Sequence, residues 1–141
     1  MKLTVNAIIV FDPSGKNLLM CKRIKEPFLG QINFVGGKVK PNGEDHFSAA
    51  YRELEEETAI TSKDISLTHV MTFDYPLEDL SFEIYVGQLA RPVTVDSREN
   101  PLLWVSIYDD FFDTRRFAGG GNIGHMLEKV KEYGLISPNP S

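Results

Sequence analysis

The chain has 141 residues, 42% of them hydrophobic and 25% charged, with a formal net charge of −5. These are globular values, and the length suits a single domain, 1–141, with a sizeable core. The acidic balance excludes a general nucleic-acid binder, whose affinity rests on cationic contacts to phosphates. No apolar run approaches the ~20 residues that span a bilayer, so no membrane partner is expected. Lys2 runs directly into a strand pattern rather than a signal-peptide layout. With Cys21 as the one cysteine, intramolecular disulfides are impossible and a reducing, cytoplasmic setting is expected.

Leu3 to Phe11 is rich in Val, Ile and Ala and predicts a largely buried strand. Asp12, Pro13, Ser14 and Gly15 supply turn chemistry, and Asn17 to Arg23 returns as a second strand, giving a hairpin. Cys21 falls inside that strand, where a thiol acts as a small buried hydrophobe rather than a nucleophile. Lys22, Arg23 and Lys25 form a basic cluster that reads equally as a solvated strand end or as a neighbour of phosphates. Pro27 and Gly30 then break the chain, and Gln31 to Val35 predicts a short strand. Asn33 within it is by itself a turn residue, although its amide offers both donors and an acceptor.

From Gly36 to Ile60 the chain reads GGKVKPNGEDHFSAAYRELEEETAI. Two glycines open a turn, Pro41, Asn42 and Gly43 make a second, and a helix-forming run follows with five glutamates between Glu44 and Glu57. At about 100° per residue, Phe47, Ala50, Tyr51, Leu54 and Thr58 share one arc, the face expected to pack. Glu53, Glu56 and Glu57 gather on the adjacent arc at i, i+3 and i+4, while Glu55 points elsewhere. Three neighbouring carboxylates weaken an isolated helix by a few tenths of a kcal/mol per pair, so a positive partner is expected. As a bare charge run the trio is a solvated helix face; behind two glycine turns it suits a hard divalent cation such as Mg²⁺ or Mn²⁺.

This stretch resembles the box of the Nudix hydrolases, the MutT-like pyrophosphohydrolases of nucleoside diphosphates linked to another group, written G-x5-E-x7-R-E-U-x-E-E-x-G-U with U aliphatic. The match runs from Gly37 through Glu44, Arg52, Glu53, Leu54, Glu56 and Glu57 to Ile60. There are two departures: six residues, Lys38 to Gly43, replace the family's five, and Ala59 takes the place of the last glycine. The resemblance implies Mg²⁺ (alternatively Mn²⁺) on Glu53, Glu56 and Glu57 with a carbonyl of Gly36, and Gly37 and Lys38 beside the substrate phosphates. Arg52, about 100° from the centre of the trio, is expected to orient the glutamates. Asn33 is the expected base contact by the same resemblance.

After the helix, Ile65 to Phe73 and Ser81 to Leu89 are rich in aromatic and β-branched residues and predict two paired strands joined around Pro76 to Leu80. Phe73, Tyr75, Phe82 and Tyr85 are core or sheet surface by default, with one or two able to wall a base pocket, and His69 is a strand residue with a satisfied hydrogen bond. Arg91 to Pro101 is a polar loop, and Leu102 to Ile107, with Trp104, is a further strand. Family members carry a glutamate ahead of such a tryptophan, which makes Glu99 the candidate for reaching the metal or activating water, with Glu78 and Glu83 as rivals. Tyr108 to Arg116 predicts a short helix or irregular segment, and a helix is expected from Ile123 to Tyr133. Gly119 to Gly121 precede it without the spacing of a P-loop or dinucleotide motif. By resemblance this loop borders the base pocket through Phe117 and Asn122. Pro138 and Pro140 mark a frayed tail.

Bottom-up, these elements give an α/β or α+β domain with helices covering a mixed sheet, which the resemblance sharpens to the Nudix α/β/α sandwich. The implied activity is Mg²⁺-dependent hydrolysis of a nucleoside triphosphate to monophosphate and pyrophosphate, an oxidised purine nucleotide of the 8-oxo-dGTP kind being one such substrate. ADP-ribose and dinucleoside polyphosphates stand as alternatives within that class. A non-catalytic Nudix-fold nucleotide sensor and a structural acidic domain stand outside it. The expected partner is a small-molecule nucleotide, with the chain a monomer or homodimer.

Overall fold

The computed structural model describes residues 2–132. Strand β1 (Leu3–Phe11) and strand β2 (Asn17–Lys22) form the expected hairpin, antiparallel with Phe11 opposite Leu18. Asp12 fixes its turn by accepting from Ser14 Oγ (2.8 Å) and Asn17 Nδ2 (2.9 Å). Strand β3 (Ile32–Phe34) and helix α1 (His46–Thr58) follow. Then come β4 (Thr68–Tyr75), β5 (Leu80–Gln88), β6 (Leu102–Ser106) and helix α2 (Asn122–Glu132). The six strands form one mixed sheet in the order β3-β2-β1-β5-β4, with β6 paired to β2. β1 and β5 are parallel, and the other named pairs are antiparallel.

Alternation along β1 builds both cores at once. Ala7, Ile9 and Phe11 join the cluster containing Ile123, Met126 and Val130 of α2, whereas Ile8 and Val10 join the cluster containing Ala50 and Leu54 of α1. Burial on both faces explains why β1 reads as a continuous apolar run. The sheet therefore lies between two helices, as the α/β/α expectation required. Among the described residues, no helix is long and apolar enough to cross a membrane.

One connection positions everything that follows. Beyond β3 the chain crosses onto β1 and runs antiparallel beside its first half. Ile8 N–H donates to the Val35 carbonyl (2.8 Å), Asn6 N–H to Gly37 (2.8 Å) and Val39 N–H to Thr4 (2.9 Å). The glycine turn is thereby fastened by main-chain bonds to the central strand.

Helix α1 starts at Asp45, whose carboxylate accepts from Ser48 N–H at 2.9 Å, an N-cap that satisfies one of the helix's free donors. It ends at Ala59 in the left-handed region, φ 69°, with its N–H on the Glu55 carbonyl. Alanine therefore occupies a conformation that favours glycine by roughly 1 kcal/mol. Ala59→Gly is expected to raise the melting temperature by about 3 °C, and a differential scanning calorimetry trace without an upward shift would contradict the cap's cost.

Several expectations are corrected. Phe47 is 43% exposed rather than part of the packed stripe, its ring lying edge-on to Tyr51 and Tyr85, and Ala49 is buried instead. Of the two forms expected for Tyr108 to Arg116, the structure has the irregular one, successive turns without a helix. Side chains of Asp109, Asp110 and Asp113 accept from nearby main-chain N–H groups there, which competes with helical bonding. Ile65 and Leu67 are buried ahead of β4, which begins at Thr68. The proline tail and Tyr133 lie outside the described residues.

Candidate active site

Arg52 is the hub of the acidic flank of α1. Its guanidinium grips Glu44 through two bonds (2.6 and 2.9 Å), donates to Glu53 (3.0 Å) and Glu56 (3.1 Å), and reaches the Lys38 carbonyl (3.1 Å). It is the positive partner expected for the trio, but of the three it serves only Glu53 and Glu56. The Arg52 bond and the Lys40 N–H hold the Glu44 carboxyl down at about 2. The six-residue turn thus still delivers Glu44 to Arg52.

Glu57 is in a different position. It is 7% exposed, and its carboxylate accepts from the Gly36 N–H at 3.3 Å. Burial pushes its pKa up to about 8; Glu99 and Glu53 add to the rise, while the Gly36 N–H and Arg23 oppose it. Burial likewise raises the Glu53 carboxyl against the pull of Arg52. Burial thus outweighs the pull of Arg52 at Glu53 and of Arg23 at Glu57, so added positive charge would favour the ionised form of both.

The two glycines are dictated by close approach. Gly36 has φ 144°, and a Cβ there would lie 2.2 Å from the Asn6 carbonyl oxygen; on Gly37 a Cβ would lie 2.3 Å from the Glu53 carboxylate. Beside this turn a cavity of about 680 Å³ opens, and Gly36, Gly37, Lys38, Asn33, Asn122 and Glu57 all line it. Phe28, Phe34, Phe82 and Met126 make its apolar wall. Residues separated by nearly ninety positions in sequence meet here because β3, the turn and the loop before α2 converge: Ile32 N–H donates to Arg116 (2.7 Å) and Ala118 N–H to Ile32 (2.9 Å).

Phe117 does not reach the cavity. It is 1% exposed and packs on Phe111 at 5.0 Å between ring centroids, so Ala118 and Gly119 form the wall in its place. Glu99 is exposed on its loop; its charge acts on Glu57 and Glu53, and the adjacent Asn100 lines the cavity. Of the rivals, Glu83 is engaged by His46 (2.8 Å) and the Tyr85 hydroxyl (3.1 Å), and Glu78 is exposed in the 3-10 turn Pro76–Glu78. Cys21 is buried and burial pushes its thiol up to about 12, so it is no nucleophile at neutral pH. His69 bonds Thr72 at 3.0 Å, as a satisfied strand residue.

Among the described residues, no group of three or more His, Cys, Asp or Glu side chains is drawn together as a metal site. Arg52 accounts for this, because it holds Glu53 and Glu56 on itself. The donor chemistry nevertheless fits a hard cation: the carboxylates of Glu53 and Glu57, both raised by burial, flank the glycine turn beside a cavity. Sequence reasoning missed Phe28, Asn100 and Asn6 as cavity residues. Only Asn6 carried a signal, as the one amide inside the apolar run of β1.

A NUDIX domain family model matches residues 1–107. An 8-oxo-dGTP diphosphatase of Haemophilus influenzae is 33% identical over 84 residues, which are 60% of this chain and 61% of that protein. The matched stretch therefore spans less than two thirds of that curated relative. A structure of MutT, from work on Aliivibrio salmonicida and Vibrio cholerae, superposes with a TM-score of 0.71 at 24% identity, covering 94% of this chain and 99% of that one. An Ap4A hydrolase of C. elegans, in a binary complex, gives a TM-score of 0.71 at 24% identity, covering 93% and 96%. With the family model spanning most of the sequence and the same sandwich underlying the cavity, the chain belongs to the NUDIX domain family.

Proposed function

We propose that the chain hydrolyses a phosphoanhydride bond of a nucleoside triphosphate or related nucleoside diphosphate derivative in the presence of Mg²⁺, with Mn²⁺ as a substitute. The observation that carries this reading is Glu57: a buried carboxylate without a compensating cation, anchored by Gly36 N–H, at the end of a nucleotide-sized cavity. Glu53 and Glu57 would hold the ion, joined by Glu56 once it leaves Arg52, with the Gly36 carbonyl as a further ligand. When bound, the cation supplies neutralisation of phosphate charge and acidifies water.

The remaining work falls to the protein. Arg52 fixes the glutamates and the Lys38 main chain relative to each other. Lys38 brings its ammonium to the phosphate end, and Asn33 and Asn122 contact the base along the apolar wall. Glu99 is the base that takes the proton from water. Electrostatic positioning provides most of the acceleration, since the transition state spreads charge over phosphoryl oxygens.

The relative from Haemophilus influenzae favours an oxidised purine triphosphate as substrate. The Ap4A hydrolase likeness keeps dinucleoside polyphosphates in the panel, and ADP-ribose completes it. A second reading, a sensor that binds nucleotides without turnover, draws on the Arg52 clasp that holds Glu53 and Glu56 away from a preassembled metal site. Product release from a nucleotide panel with Mg²⁺ or Mn²⁺ separates the two. Turnover is expected, and Glu56→Gln should reduce it by orders of magnitude with an unchanged melting temperature, because Glu56 is half-exposed in an i,i+4 pair. Saturable binding with no product under either metal would establish the sensor instead.

A further inference from the structure

Asn6 is 2% exposed, lies between Val5 and Ala7 in a largely apolar strand, and lines the cavity. Its main chain and side chain both grip the glycine turn. Its N–H donates to the Gly37 carbonyl (2.8 Å), and its Oδ1 accepts from the Gly37 N–H (2.9 Å). That second bond fixes the amide's orientation, because a main-chain N–H requires the oxygen and turns the NH₂ the other way. Among the described residues, the Asn6 Nδ2 is a buried side-chain nitrogen with no hydrogen-bond partner. A buried donor left unpaired is costly and rare, and at a cavity wall a bound ligand would satisfy it.

We infer that Asn6 is a specificity and positioning residue whose Nδ2 donates to an acceptor oxygen of the bound nucleotide, while its Oδ1 keeps the Gly36–Gly37 turn in register. The inference rests on the nucleotide reading of the cavity and deepens it. One amide thus spans the ligand and the turn that anchors Glu57, so that a correctly seated nucleotide completes the hydrogen bonding of the same side chain that sets the turn. The acceptor lies on a phosphate or on the nucleoside, and both supply an oxygen.

Calorimetric binding of AMP, GMP, CMP and UMP, each beside its parent nucleoside, tests this on wild type, Asn6→Asp and Asn6→Leu. Asp retains an acceptor for Gly37 N–H and loses the donor; Leu keeps the shape without charge and loses both. Both variants are expected to weaken monophosphate binding at least tenfold and to raise KM, and Leu should also lower kcat because the turn loses its hold. Loss for the monophosphate alone places the acceptor on phosphate, and equal loss for the nucleoside places it on the nucleoside. Unchanged binding in Asn6→Leu overturns the inference, even with weakened Asn6→Asp, since charge alone then explains the latter. If Asn6→Leu does not fold, Asn6→Ala takes its place under the same criterion. Wild-type protein that binds none of these compounds would overturn the nucleotide reading together with the role of Asn6, whereas wild-type binding with unaffected variants would overturn only the latter.

Discussion

Glu57→Gln is expected to abolish turnover and, in the same protein, to raise the melting temperature of the metal-free form at pH 8. The Glu57 carboxyl is pushed up to about 8 by burial, against an ordinary value of 4.5. The native state therefore holds this proton more tightly than the unfolded chain does. Its stabilising contribution is complete below about pH 4.5 and is lost as the pH climbs through 8, where a charge must be kept out of water. Each unit of difference is worth about 1.4 kcal/mol, so the loss across that window is on the order of a few kcal/mol. Glutamine has the same shape, carries no charge at any pH and accepts the same Gly36 N–H. Urea denaturation in EDTA at pH 5 and pH 8 measures the difference: the slope with pH should be present in wild type and flattened in the variant. Added Mg²⁺ should stabilise wild type at pH 8 and leave the variant unmoved. Identical slopes in the two proteins would refute the assignment of a buried, uncompensated carboxylate.

Gly36→Ala should have the largest effect on folding of any glycine-to-alanine change among the described residues. The position combines φ 144° with a Cβ site 2.2 Å from main-chain oxygen of Asn6 and 3.0 Å from its carbonyl carbon. Neither atom is free to move, because β1 is paired to β5 along its whole length. Backbone strain and overpacking together cost roughly 3–5 kcal/mol, a large part of a domain's usual margin. Gly37→Ala is the informative contrast. Its φ is unexceptional, and the clash is with the carboxylate end of Glu53, which can swing aside. That variant is expected to fold and to lose activity, because Glu53 leaves the position set by Arg52. Thermal melts and turnover measured on both proteins would separate the two effects; a Gly36→Ala variant as stable as wild type would show that β1 yields.

The parts legible in the sequence are those governed by local rules. The hairpin of β1 and β2 followed from the Asp-Pro-Ser-Gly turn, and α1 from its helical spacing. What lay out of reach depended on long-range packing. Phe117 was expected in the base pocket, and it is turned into the core by a bridge to Ile32, a contact across 85 positions. Phe47 had the right spacing to pack, but at the first turn of α1 it finds aromatic edges rather than a core. Trio spacing placed Glu53, Glu56 and Glu57 side by side and Arg52 was expected to orient them, but nothing local showed that it would hold only Glu53 and Glu56 while Glu57 went to the glycine turn. Asn6 is legible only in retrospect: one amide in an apolar strand reads as tolerated polarity until its partner, 31 residues away, is known.

The stitching of residues 35–39 to β1 divides the molecule's freedom to change. The glycine turn is fastened to the middle of the sheet, whereas Phe28, Asn100 and Gly119 stand on segments that connect the named strands and helices. Drift in those segments can re-shape what is accepted without disturbing how the bond is cut. Under the proposed function, a protein engineer seeking a new preference should begin with Phe28, Asn100 and Gly119, because Asn6 cannot be exchanged without also loosening the glycine turn.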